Sequence, residues 1–186
     1  MSSFSFWLDS EDELCVKYMD AMDNIGILKR FGCDIQHEVD VNTMSFDNSL
    51  SLQRYDRIVF NFPHAGSRFF GREFLSRAIE GHKELVRGFL ENAKEMLKDD
   101  GEIHITHKTT YPFSDWGIKK LANGEGLRLA KKSKFELSQY PGYIKREGVV
   151  DVGVMITSLL VNVLLTCLSN PKLMRESRFL YGIYVN

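Results

Sequence analysis

A short polar turn follows one of the strongest strand-like segments of this chain. The segment YDRIVFNFPHAG covers residues 55–66 and leads into Asn61, Phe62, Pro63 and His64. An asparagine side-chain carbonyl and a backbone carbonyl held by proline can accept hydrogen bonds from a planar base, on which an aromatic ring can stack. The alternative is an ordinary strand-to-loop turn, in which Pro63 restricts φ and Asn61 bonds its own backbone. The residue types alone leave both interpretations open.

Two carboxylates stand where other strands are expected to end, at Asp9 and Asp40. A carboxylate in this position can accept hydrogen bonds from ribose hydroxyls or from a nearby adenine amine. The competing interpretations are capping of a helix by Asp9 and an ordinary turn at Asp40. Neither residue taken singly decides between a ligand site and local structure.

His104 and His107 raise the question of a metal ion. They lie three residues apart in a predicted strand, so their side chains point to opposite faces and cannot easily share one ion. The three cysteines, Cys15, Cys33 and Cys167, have no zinc-site spacing. We therefore predict no metal site, and reduced thiols in a reducing compartment.

The elements that must position these residues alternate along the chain. Apolar residues at helical spacing predict helices over 11–31 and 78–97. Runs of β-branched and aromatic residues predict strands at 33–39, 57–60 and 101–108. A short helix and then a strand or hairpin follow. Alternation of helices with buried-type strands predicts an α/β fold with a mostly parallel sheet.

Charge is distributed unevenly along the chain, although the net charge is -1. Residues 1–50 hold three basic and ten acidic residues, whereas residues 119–146 hold eight basic and two acidic residues. The overall balance is not that of a general nucleic-acid-binding protein. The basic segment is either a solvated surface or a surface for a phosphate backbone.

The segment 152–171 contains no charged residue and is close to the length of a membrane span. Polar residues interrupt it, so a buried strand or helix, or a segment outside the native core, are alternatives to membrane association. The N-terminal residues do not have the pattern of a signal peptide. We expect a domain over 1–148 and a divergent apolar tail over 149–186.

Several segments together resemble the 25S rRNA (uridine-N3)-methyltransferase-like domain family, in a plant-type version. They are, in order, LDSEDEL (8–14), GCDIQHEVDVNTM (32–44), YDRIVFNFPHAG (55–66), GHKELVRGFLENAKEMLKDDGEIHITHKTTYPFSDWGIKKLA (81–122) and FELSQYPGY (135–143). The FNFPH turn together with the YPGY segment makes the resemblance specific. It implies a Rossmann-like S-adenosylmethionine methyltransferase sheet.

The resemblance implies methyl transfer from S-adenosylmethionine to N3 of a uridine in large-subunit rRNA, in the nucleolus or the cytoplasm. The implied cofactor-binding residues are Asp9, which would face the ribose, Asp40, which would lie near the adenine, and Phe62. The implied partner is rRNA.

The same resemblance makes Asn61, Pro63 and His64 the catalytic turn that faces the substrate. Uracil N3 carries a proton and is a poor nucleophile until that proton leaves. The Asn61 carbonyl would orient the N–H, and His64 would take the proton or position a water, since imidazole titrates near neutrality.

Two departures from the family pattern affect this expectation. The family begins with a strand and a loop of the type Gly-Glu-Gly-Asp-Phe-Ser-Phe-Ser; SSFSF (2–6) resembles only the last residues of that loop, and the first strand, the glycines and most of the first helix are absent. The sequence after Arg146 also diverges. Backbone amides of such a loop hold the methionine end of the cofactor. We therefore expect a sheet that is missing its first strand. The chain is then an impaired methyltransferase or, alternatively, a non-catalytic RNA-binding or interaction module derived from that fold.

Overall fold

The computed structural model describes residues 3–7, 9–18, 20–66, 72, 74–135, 154–161 and 179–183. Seven strands in these residues form a sheet with the order β2-β1-β7-β3-β4-β6-β5. The strands are β1 (Ser3–Trp7), β2 (Cys33–Gln36), β3 (Tyr55–Asn61), β4 (Leu97–Lys108), β5 (Leu127–Lys134), β6 (Val154–Val161) and β7 (Phe179–Ile183).

The α-helices of the described residues alternate with the first five strands. They are α1 (Glu11–Lys17), α2 (Ala21–Arg30), α3 (Asn48–Ser51), α4 (Ser76–Met96) and α5 (Ile118–Gly124), joined by 3₁₀ turns at Met44–Phe46 and Phe113–Trp116. The helix predicted over 78–97 is confirmed as α4. The strand predicted at 101–108 forms the second part of the longer β4.

The prediction of an α/β fold with a mostly parallel sheet is confirmed. β2, β1, β7, β3 and β4 run parallel to one another. β6 lies between β4 and β5 and is antiparallel to both. Because the parallel strands share one direction, their carboxyl ends and the loops that follow them meet at one edge of the sheet.

The gap expected from a missing first strand is filled by β7. In a Rossmann sheet of strand order 3-2-1-4-5-6, β2, β1, β3 and β4 occupy the places of strands 3, 2, 4 and 5. β7 stands in the place of strand 1 and pairs along both sides, with Gly182 opposite Phe6 of β1 and Phe60 of β3. The backbones of β1 and β3 are therefore paired, where a sheet without this strand would leave them as unpaired edges.

The tail predicted beyond residue 148 contributes β6 and β7 to this sheet. The boundary at 148 itself stays a prediction, and residues 162–178 lie outside the described residues. The strand alternative for the apolar segment 152–171 is confirmed for 154–161. No helix among the described residues combines the length and apolar character that a membrane crossing needs.

Helices cover both faces of the sheet. Ser5 of β1 lies beside Ile35 of β2, so Ile35 and the adjacent Phe6 face opposite sides. On one side Phe6 belongs to the main core with the strand β3 and the helix α4, where the rings of Phe60 and Phe89 lie 4.6 Å apart. On the other side Ile35 packs against a smaller cluster contributed by α1 and α2.

The single helix predicted over 11–31 is wrong, because the chain breaks between α1 and α2. Ser10 starts α1 in a capping box with Glu13, and Tyr18 leaves the helix in an extended conformation. Tyr18 remains buried in the same cluster as Leu14 and Ile25. The apolar spacing thus continues across the break, since both helices bury one cluster, and it does not reveal where the backbone turns.

Candidate functional site

The strand β3 ends in a turn that the neighbouring strand holds in place. The Thr106 hydroxyl of β4 donates to Oδ1 of Asn61 at 2.8 Å, and the Phe62 N–H donates to the Thr106 carbonyl at 2.7 Å. Phe62 has φ +49°, a left-handed conformation that non-glycine residues adopt rarely and that clusters at functional sites. The chain therefore turns at Phe62. The hydrogen bond from Thr106 fixes the orientation of the Asn61 side-chain amide.

Three buried rings pack in a row at this turn, two of them stacked and the third tilted. His64, His82 of α4 and Trp116 are 3%, 0% and 3% exposed. The ring centroids of His64 and His82 lie 4.5 Å apart, and His82 stacks on Trp116 at 4.6 Å. This column links the turn after β3 to α4 and to the 3₁₀ turn after β4.

Backbone donors set the proton positions on both histidines. The Gly66 N–H donates to Nδ1 of His64 at 3.2 Å, and the Ala65 N–H donates to Nδ1 of His82 at 3.0 Å. A neutral imidazole that accepts at Nδ1 carries its proton on Nε2. Burial first, and the nearby His64 second, lower the pKa of His82 from 6.5 to about 4. His82 is therefore neutral near pH 7.

A narrow cleft opens between this turn and the strand β4. Its volume is about 20 Å³, room for a water molecule rather than for the occupant of a typical ligand pocket. Aromatic and basic side chains line it, and the Lys108 ammonium lies 4.8 Å from the centre of the Phe113 ring. A base can stack in the cleft only if one wall moves outward. The lining residues are Phe62, Pro63, His64, His107, Lys108, Phe113 and Trp116.

The two predicted carboxylates lie beside neighbouring strands at this edge of the sheet. Asp9 follows β1, and its carbonyl accepts from the N–H of Glu38, which joins the loops after β1 and β2. Ser10 caps α1, so the alternative capping role of Asp9 is wrong. Oδ1 of Asp40 accepts from the backbone and side-chain N–H groups of Asn42 at 2.9 and 2.7 Å, which confirms its turn role.

The structure thus places Phe62, Pro63 and His64 in the lining of one cleft, whereas Asn61 directly precedes them as the last residue of β3 and is not among the lining residues. Asp9 and Asp40 do not line this cleft, and their assignment to a cofactor stays a prediction. The two histidines of β4, His104 and His107, lie in different environments. His104 contacts the Glu102 carboxylate at 2.6 Å, whereas burial lowers the pKa of His107. The described residues contain no group of three metal-ligating side chains.

The resemblance implied that the strand after residue 102 and the loop at 111–116 line the other wall of the site, and Lys108 and Trp116 do line the cleft. It did not single out Thr106, and sequence reasoning did not identify His82. His82 offered one signal, because it interrupts the apolar stripe of α4 between Ala78 and Val86 at a spacing of four residues. A polar residue on a buried helix stripe needs a partner in the fold. Nothing in the local sequence identified that partner as the turn after β3.

The fold is that of S-adenosylmethionine-dependent methyltransferases. NSun6 from Pyrococcus horikoshii, solved with SFG, matches with a TM-score of 0.53 and 17% identity over 84% of this chain and 40% of that chain. The glycopeptide N-methyltransferase MtfA, solved with S-adenosyl-L-methionine, matches with a TM-score of 0.51 and 9% identity over 87% of this chain and 82% of that chain. Identities this low establish the fold alone.

The sequence gives the narrower assignment. The family described as "rRNA (uridine-N3-)-methyltransferase BTM5-like" matches residues 4–147, and the chain belongs to this family. The family resemblance seen in the sequence is thereby confirmed.

Three relatives illustrate the range of the family. An uncharacterized Arabidopsis thaliana protein is 86% identical over 76% of this chain and 68% of its own length. Heavy metal-associated isoprenylated plant protein 41 of the same species is 44% identical over 76% of this chain. The 25S rRNA (uridine(2634)-N(3))-methyltransferase of Saccharomyces cerevisiae is 28% identical over 74% of this chain. The chain spans only 27% and 55% of these last two proteins.

Proposed function

We propose that this chain transfers a methyl group from S-adenosylmethionine to N3 of a uridine in large-subunit rRNA. Membership of the family over residues 4–147 and the similarity to the yeast 25S rRNA methyltransferase support this reaction. The observation that carries the proposal is the turn after β3, in which Thr106 orients Asn61 and His82 holds the backbone beside His64.

The bonding of His64 suits it to donate a hydrogen bond. Its Nδ1 accepts from Gly66, so the neutral ring carries its proton on Nε2. From there it donates to a uracil carbonyl oxygen, where negative charge collects as N3 loses its proton. His64 thus positions the base and stabilises the anion, in place of the proton acceptor that the sequence interpretation offered. The proton itself passes to water.

Asn61 aligns the edge of the uracil. Its carbonyl oxygen has a second lone pair beside the one used by Thr106, and this lone pair accepts from the uracil N3–H before the proton leaves. The reaction breaks the N3–H bond, forms the bond from N3 to the methyl carbon and breaks the bond from sulfur to that carbon. Correct alignment of the reacting atoms supplies much of the rate.

The residues at the sheet edge suit the adenosine half of the cofactor. Carboxylates accept hydrogen bonds from hydroxyl and amine groups, and Asp9 and Asp40 follow the adjacent parallel strands β1 and β2. We assign Asp9 to the ribose and Asp40, through the oxygen that does not bond Asn42, to the adenine. When bound, S-adenosylmethionine supplies a methyl group made electrophilic by its sulfonium.

Detection of 3-methyluridine tests the proposal. The full chain is incubated with a large-subunit rRNA transcript and S-adenosylmethionine, and the digested nucleosides are analysed by mass spectrometry. We expect N3-methylation, reduced about 100-fold or more by Asn61→Ala or His64→Ala. The matched control His104→Gln, outside the cleft, should retain the activity. Absence of 3-methyluridine with every large-subunit rRNA fragment would refute the proposal.

The small cleft favours one second candidate. A volume of about 20 Å³ does not admit a base without rearrangement, and a chain that keeps this closed state would act as a non-catalytic RNA-binding module. Calorimetric titration with S-adenosylmethionine distinguishes the methyltransferase from the non-catalytic module. Heat of binding supports the methyltransferase, whereas RNA binding without cofactor binding supports the module.

A further inference from the structure

A second, larger cavity lies beside the cleft. Its volume is about 470 Å³, within the range of ligand pockets. Residues of β4, of β5, of α5 and of the 3₁₀ turn at Phe113–Trp116 line it. Its polar lining includes three lysines, Lys119 and Lys120 from α5 and Lys132 from β5, together with His107, Thr109, Ser114 and Asn123.

The cavity lies in a strongly basic part of the molecule. Residues 119–134 include six basic side chains and one acidic side chain, Glu125. The cavity lysines are exposed, and no carboxylate of the described residues forms an ion pair with any of the three. Strand β6, which pairs with β5, has no charged residue in its sequence. Within the described residues the positive charge of the cavity lysines therefore has no carboxylate ion pair, and a local excess of positive charge attracts anions.

The cavity and the candidate catalytic cleft are neighbours. His107 of β4 lines both of them. Lys132 is close enough to His107 to contribute, after burial, to the lowered pKa of that histidine. A polyanion that reaches the lysines thus passes directly beside the turn formed by Asn61, Pro63 and His64.

We propose that this cavity binds a phosphodiester group of the RNA strand, next to the uridine that enters the cleft. This proposal rests on the proposed function and adds to it the place at which the RNA backbone binds. Lysine ammonium groups bind phosphate oxygens as point charges. Single-stranded RNA binds positively charged grooves through its backbone while its bases stack on aromatic side chains, and the cleft supplies Phe62, Phe113 and Trp116.

The test compares two double variants that remove equal charge. Lys119→Gln with Lys132→Gln changes the cavity, and Lys29→Gln with Arg30→Gln changes exposed residues of α2. Binding of a short fluorescein-labelled, uridine-containing RNA is followed by anisotropy at several salt concentrations. For the cavity variant we expect a salt slope smaller by about 1.4, since each phosphate contact on a single strand contributes about 0.7. Affinity near 100 mM salt should fall about tenfold or more. The α2 variant should match the unmodified chain.

Each of three outcomes would overturn the proposal. These are equal losses of RNA affinity in the two double variants, an unchanged salt slope in the cavity variant, and no RNA binding by the unmodified chain. The binding measurement needs neither cofactor nor turnover, so it is separate from the proposed reaction. If RNA binding depends on Lys119 and Lys132 but no 3-methyluridine forms, the result supports RNA binding at the cavity and refutes the proposed reaction. 3-Methyluridine formation with the same KM for RNA in both variants supports the reaction and refutes the cavity.

Discussion

At the scale of single residues, two buried histidines of the same tautomer have different tasks. Nδ1 of His64 accepts from Gly66 within its own turn, whereas Nδ1 of His82 accepts from Ala65 across the packing interface with α4. His64 lines the cleft, and His82 lies behind it. Residue type alone does not separate a ring that lines the cleft from one that holds the backbone behind it.

His82 makes folding depend on pH. Its pKa is about 4 in the folded protein and near 6.5 when unfolded, so the unfolded chain binds more protons between these values. Stability therefore falls as the pH drops from about 6.5 to about 4, by up to roughly 3 kcal/mol. Urea titrations across this range should show the loss, and buried His107, whose pKa is also lowered, adds to it.

The variant His82→Asn isolates this contribution. Asparagine keeps an acceptor near the position of Nδ1 but does not titrate, so the pH dependence should become flatter even if overall stability drops. An unchanged slope of unfolding free energy against pH would contradict the assignment to His82.

Thr106 orients the Asn61 amide through one hydroxyl. Thr106→Val keeps the shape and removes this hydrogen bond, worth about 1 kcal/mol. We expect 3-methyluridine formation to slow about fivefold, with little change in affinity for RNA. Thr106→Ser keeps the hydroxyl and should retain most of the rate. Equal rates for the valine and serine variants would show that the hydroxyl does not orient Asn61.

At the scale of elements, one buried amide joins α4 to the loop after β2. Oδ1 of Asn92 accepts from the N–H and hydroxyl of Ser45, and its Nδ2 donates to the carbonyls of Asn42 and Gly88. Asn92 is 4% exposed, so these groups have little access to water. The loop that follows Asp40 is therefore anchored to the longest helix.

Asn92→Ala should lower the free energy of unfolding by about 2–4 kcal/mol, because it leaves buried backbone groups without partners. The adjacent, exposed Glu91→Ala is the matched control and should change stability by less than about 0.5 kcal/mol. Chemical denaturation of both variants measures the difference. A loss below about 1 kcal/mol for Asn92→Ala would show that water replaces the amide.

At the scale of the whole molecule, the sheet depends on its last strand. β1 pairs with β2 and β7, and β7 in turn pairs with β3. β7 is thus the strand through which β1 and β2 join the remainder of the sheet. This placement replaces the expected exposed edge with a continuous ladder.

Tyr181→Pro tests the importance of this strand. Tyr181 lies opposite Ser5 of β1 and Val59 of β3, and proline removes the N–H from a strand with neighbours on both sides. We expect a loss of roughly 2–3 kcal/mol in unfolding free energy. Tyr181→Val keeps the N–H and a strand-forming side chain, and it should cost clearly less. Equal melting temperatures for the two variants would mean that β7 does not stabilise the sheet.

The sequence by itself determined α4, the central strands and the residue types present in the turn. Periodic apolar residues predicted α4, β-branched runs predicted the central strands, and the order Asn61-Phe62-Pro63-His64 indicated a candidate site. These features depend on residues within a few positions of one another, which is the range that propensity and spacing describe. The turn role of Asp40 was recognisable for the same reason.

Only the tertiary structure decided which distant segments meet. β7 pairs with strands more than a hundred residues earlier in the chain, and its own residues do not specify their partners. The column of His64, His82 and Trp116, the bond from Thr106 to Asn61, and the cavity formed by Lys119 and Lys132 likewise join separate elements. Such contacts form because folding buries apolar faces and pairs buried polar groups over the whole chain, and local sequence patterns do not contain that information.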